Sequence, residues 1–130
     1  MFFKRTEGFR YKFEEPLQTT FTIVENGRAV KDEAAIGGIL DISPKGIKMF
    51  STVDLNAGKA LSPQLEIRFI IDSQIIVAYG EVMWSRPYMN GKQYGIFFNN
   101  QVLIEGLIVE ELKIRRKKEI MATKKLKSNA

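Results

Sequence analysis

The stretch RYKFEEPLQTTFTIVENG, residues 10–27, decides the fold class. RYKF at Arg10–Phe13 and LQTTFTIV at Leu17–Val24 alternate in polarity and are rich in β-branched and aromatic side chains, the pattern of half-buried strands. Asn26-Gly27 follows at once and supplies both positive-φ residues of a tight type I′ turn, so residues 17–31 are expected to form a hairpin.

Outward from this stretch the period of two persists for the first hundred residues. Ala34–Ile42, with a bulge expected at Gly37-Gly38, and Gly46–Ser51 come next. Leu65–Ile71 and Gln74–Trp84 flank Asp72-Ser73 as a second hairpin, and Lys92–Phe98 follows the turn-like Met89-Asn90-Gly91. The expected fold is therefore mainly β, a small antiparallel barrel of six or seven short strands. From residue 101 the period becomes helical: Leu103, Ile104, Leu107, Ile108, Leu112 and Ile114 recur mostly at helical spacings, and Asn99 or Asn100 is placed to cap the start. The helix is expected over about residues 101–120, with residues 1–115 forming the barrel and the start of its packing helix. Residues 116–130 are expected to form a basic C-terminal tail.

Composition narrows the function. The 130 residues contain no Cys and no His, which excludes disulfides, Cys/His zinc sites, thiol nucleophiles and histidine bases. Binding rather than catalysis is expected of so small a domain. The net charge of +5 is unevenly placed: residues 113–130 hold eight basic residues against Glu119, and the remaining 112 residues are net −2. The high pI thus belongs to the C-terminal segment and implies no general nucleic-acid-binding surface on the body. The Lys-rich segment has no interleaved aromatic for base stacking, so its expected contacts are weak ones to anionic membranes or other polyanions. No apolar run reaches membrane-spanning length and MFFKRTEGFR lacks the apolar region of a secretory signal, so a soluble cytoplasmic protein is expected.

Three constellations are candidates for function. Lys4-Arg5-Thr6-Glu7-Gly8-Phe9-Arg10 is a basic lead-in whose arginines suit bidentate recognition of phosphates or guanine edges, or are ordinary solvated charges. Asp41-Ile42-Ser43-Pro44-Lys45-Gly46 reads as a β-turn, or as a turn that aims a carboxylate and a hydroxyl at a ligand. Gly80-Glu81-Val82-Met83-Trp84 and Tyr94-Gly95-Ile96-Phe97-Phe98 read as core strands, with Val82 and Trp84 expected on one face and Glu81, Met83 and Ser85 on the other.

In this order and spacing the three resemble the PilZ domain family, small bacterial six-stranded barrels with a C-terminal helix, many of them receptors for the second messenger cyclic di-GMP. Asp41, Ser43 and Gly46 match the family's [DN]-x-S-x-x-G motif, Gly80-Val82-Trp84 its G-x-V-x-W strand, and Gly95-Ile96-Phe98 its G-[IV]-x-F strand. Arg10 matches the second arginine of the R-x-x-x-R motif; Thr6 stands where the first is expected, and Arg5 lies one residue earlier. The resemblance covers about residues 4–115. It implies a cyclic di-GMP receptor and adaptor, not an enzyme and without a cofactor or metal, that regulates motility or biofilm formation. The implied ligand-binding residues are Arg5, Arg10, Asp41, Ser43 and Gly46, with Lys4 and Lys45 as possible additions. Ligand is expected to order the lead-in and switch the surface offered to an effector protein. The alternative is a degenerate PilZ domain that has lost the nucleotide and works as a constitutive protein-interaction module.

Overall fold

A computed structural model describes residues 10–25, 28–29, 34–55 and 63–128, with side chains to residue 124. Its strands are β1 (Tyr11–Glu25), β2 (Arg28–Ala29), β3 (Ala35–Ser43), β4 (Gly46–Ser51), β5 (Gln64–Ile70), β6 (Ile75–Tyr88) and β7 (Gly91–Phe98), followed by helix α1 (Val102–Ser128). All pairings are antiparallel, in the order β2-β1-β3-β4-β7-β6-β5, and a further β1–β5 pairing closes six strands into a barrel with β2 outside the ring. The expected barrel and C-terminal helix are present.

Closure removes sheet edges and lets alternate residues fill the interior. Ile39, Met49, Leu65, Ile67, Ile76, Tyr94 and Phe98 are among the core side chains with essentially no exposure. The two short strands expected at 10–13 and 17–24 are one strand, β1. Its register against β3 jumps between Lys12 and Leu17, where Pro16 cannot donate a ladder hydrogen bond. Asn26-Gly27 lies outside the described residues, although Glu25 pairs with Arg28 across it. The bulge expected at Gly37-Gly38 falls at Leu40 instead: Ile39 pairs with Met49 and Asp41 with Lys48, leaving Leu40 as the extra residue. The glycines answer a packing demand, since a Cβ on Gly38 would lie 2.9 Å from Pro16 Cβ.

Helix α1 runs to Ser128, beyond the end expected near residue 120, so the basic segment is helical over residues 116–128. Asn100 does not cap it; it takes a positive φ of 42° and turns the chain into the helix. The first helical bond runs from Glu105 N–H to the Gln101 carbonyl. Ile108 and Leu112 are buried on the barrel, with Ile104 and Leu107 packed beside them.

Polar contacts lock the helix in place. The carboxylate of Glu111, 1% exposed, accepts the backbone N–H groups of Asp72, Ser73 and Gln74 at 2.8–3.1 Å and the Ser73 hydroxyl at 3.3 Å. Arg115 donates to the Ile71 carbonyl at 2.8 Å and stacks on Phe13, and Lys118 pairs with Asp72 at 3.0 Å. The Tyr11 hydroxyl donates to Glu119 at 2.6 Å. Burial and the Glu119 carboxylate raise its pKa above the usual tyrosine value, which keeps it a donor.

Burial pushes the pKa of Glu111 up, but the hydrogen bonds from the 72–74 turn outweigh it, and the carboxyl sits below its ordinary value of 4.5. A depressed folded-state pKa contributes stability that is present above the unfolded pKa and lost as pH falls through the folded one. Acid titration of unfolding should therefore show stability falling below about pH 4.5, with a shallower slope in Glu111→Gln. At neutral pH, Glu111→Ala removes the acceptor of three backbone N–H groups and should cost about 1–3 kcal/mol in denaturant unfolding, with Glu111→Gln costing less.

Candidate functional site

The barrel's alternation builds the site rung by rung. One cross-strand rung, Tyr11–Ile42–Ile47–Ile96–Val82, points inward and is buried throughout. The next rung, Lys12–Asp41–Lys48–Gly95–Trp84, lies on the outer face of the same five strands. On the other side of the buried rung, Ser43, Gly46, Phe97 and Glu81 follow in register.

Two bulges set the outer rung. In β3 the extra Leu40 restores Ile42 to the core and turns Asp41 outward. In β6, Val82 pairs with Ile96 and Trp84 with Gly95, so Met83 is an extra residue. Val82 is buried as expected, but Trp84 does not share its face: Met83 is 60% and Trp84 43% exposed. The core role expected for Trp84 is corrected accordingly. Its indole lies against the Gly95 backbone, where a Cβ would sit 2.1 Å from the ring nitrogen, so Gly95 seats the ring. Arg86 stands 5.4 Å from the ring centre.

These rungs frame an open depression of about 750 Å³, within the size range of small-molecule sites. Arg10, Asp41, Ser43, Lys45, Gly46 and Lys48 line one side, and Met83, Trp84 and Phe97 the other. Arg10 donates to one oxygen of Asp41 through Nε at 2.8 Å and through an Nη at 2.5 Å, and Lys48 Nζ lies 3.3 Å from the other oxygen. Asp41 is thus held by two cations and fixes Arg10 over the site. Lys45 reaches out of the turn to Glu105 in the first turn of α1, at 3.2 Å.

Of the residues singled out in the sequence, Arg10, Asp41, Ser43, Lys45 and Gly46 come together here. Lys4 and Arg5 lie outside the described residues. Ser43 is 3% exposed, and its hydroxyl accepts the Lys45 N–H at 3.3 Å and donates to the Gly46 carbonyl at 3.4 Å. It shapes the turn. A Cβ on Gly46 would lie 2.2 Å from the Ile96 carbonyl oxygen, so this glycine lets β4 start close against β7. Lys48, Met83, Trp84 and Phe97 were missed as site residues. Pairing Lys48 with Asp41 across the β3–β4 hairpin was within reach of the sequence; the outward turn of Trp84 was not.

The arrangement offers three cations, one carboxylate and an apolar ledge with an indole face, which suits an anionic ligand bearing a flat ring. The model of the PilZ domain family matches residues 4–112. A comparison with curated proteins finds no match. Among solved structures, the crystal structure of the PilZ domain of CeSA from a cellulose-synthesizing bacterium shares the fold, with a TM-score of 0.55 and 13% identity over 86% of this chain and 99% of that one. By the extent of the family match and by its barrel topology, the chain belongs to the PilZ domain family.

Proposed function

We propose that the protein is a cyclic di-GMP receptor that acts on a partner protein through a conformational switch. PilZ domains are a cyclic di-GMP receptor family, and the observation that carries the reading here is the convergence of Arg10, Asp41, Lys45 and Lys48 with Trp84 in one open depression. Arg10 takes a phosphate or a guanine O6/N7 edge bidentately, each such contact contributing about 1–3 kcal/mol of discrimination. Lys45 and Lys48 add charge against the ligand's phosphates. Trp84, with Met83 and Phe97, gives a guanine an apolar surface.

The residues that would bind are paired to acids in this structure, Arg10 and Lys48 to Asp41 and Lys45 to Glu105. A dianionic ligand competes for those cations. Drawing Lys45 away from Glu105 alters a tie between the binding turn and α1, while Lys4 and Arg5 of the lead-in close over the ligand. The surface so changed is what an effector reads. No bond is made or broken in this scheme.

Calorimetric titration should give saturable binding of cyclic di-GMP at micromolar affinity or tighter, abolished in Arg10→Ala. Absence of heat at high ligand concentration would overturn the receptor reading in favour of a nucleotide-free interaction module. Trp84 is the chain's single tryptophan, so its fluorescence reports the site directly. The emission should change saturably with the same midpoint as the calorimetric titration; heat without any such change would place the guanine away from the indole.

A further inference from the structure

The face of α1 turned away from the barrel repeats at the spacing of a helix-pairing seam. Leu103, Gly106, Glu110, Lys113, Lys117 and Ile120 follow at intervals of three, four, three, four and three, and all six are exposed. Leu103 is 88% and Ile120 49% exposed. The barrel takes the opposite side of the helix through Ile108, Glu111, Leu112 and Arg115. Among the described residues, Glu110, Lys113 and Lys117 have no ion-pair partner, in contrast to Arg115 and Lys118, which are tied to the barrel and to Glu119.

Gly106 is a further anomaly. Glycine is the least favourable helix-interior residue after proline, and a Cβ here would meet nothing within 4 Å. Nothing in the single chain requires it.

We propose that this face docks a second copy of the chain, with the two α1 helices antiparallel about a two-fold axis near residues 111 and 112. The seam is self-complementary in that direction alone. Antiparallel alignment sets Leu103 against Ile120 of the second copy, Glu110 against its Lys113, and Gly106 against its Lys117, each contact occurring twice. The absent side chain at Gly106 leaves room for the lysine stem to cross the helix within one turn of Glu110. Parallel alignment would oppose Glu110 to Glu110, Lys113 to Lys113 and Lys117 to Lys117, which like-charge repulsion disfavours. Two charged rungs between two apolar ends make a salt-sensitive dimer. The seam uses none of the residues that line the depression around Trp84, and the pairing does not depend on nucleotide.

Sedimentation equilibrium of the full chain from micromolar to millimolar concentration at low salt tests it. The mass should rise from 14.9 kDa towards twice that value with concentration, and fall back on adding salt. Glu110→Lys should weaken association by about tenfold or more, and the double swap Glu110→Lys with Lys113→Glu should restore it, circular dichroism confirming that each variant is folded. A mass of one chain throughout, a dimer indifferent to Glu110→Lys, or failure of the double swap to restore pairing would each overturn the proposal.

Discussion

The site depends on one constraint, the register of five strands across the barrel wall. Tyr11, Ile42, Ile47, Ile96 and Val82 must point inward together, because each buries apolar surface in the same layer of core. Once they do, the rung beside them is committed to the outer face, and Lys12, Asp41, Lys48, Gly95 and Trp84 are aligned there. A one-residue slip of any strand would send its core residue to solvent and its site residue to the core. Hydrophobic burial is thus the force that holds polar groups in line, with ion pairs adding local orientation.

The alternation alone would not suffice, since β3 and β6 each carry one residue too many. Leu40 and Met83 are those residues, and each bulge turns the next residue outward: Asp41 in one strand, Trp84 in the other. Gly95 completes the arrangement by lacking a side chain exactly opposite the indole. The candidate site is therefore made by local exceptions to the barrel's period, placed on two strands separated by β4 and β7.

That division explains what could be read in advance. Strand positions, the barrel class and the helix follow from periodicity and turn residues, and the grouping of Arg10 with Asp41, Ser43, Lys45 and Gly46 from the resemblance to the PilZ family. Trp84 was legible only as a member of an alternating strand, because a bulge adds a residue without changing composition. Gly46 was legible as a motif position, but its close approach to the Ile96 carbonyl of β7, a strand not adjacent in sequence, was not. The helix was placed correctly at its start and cut short at its end, since a Lys-rich segment has the charge of a solvated tail and also good helix propensity. Lys, Ala, Met and Leu there favour the helix, and no glycine or proline occurs after Gly106 to stop it.

Charge placement then separates two surfaces that the net value of +5 would merge. Around the depression the cations are balanced one by one, Arg10 and Lys48 by Asp41 and Lys45 by Glu105. The cations of these pairs are 30–45% exposed and open to an incoming anion, whereas Asp41, which holds two of them, is largely buried and keeps them in place. The excess positive charge instead lies along α1. There Arg115, Lys118 and Glu119 are committed to the barrel, which leaves Lys113 and Lys117 facing solvent beside Glu110. The cations of the candidate site are thus each paired with an acid, while the exposed Lys113 and Lys117 sit on the far side of the helix.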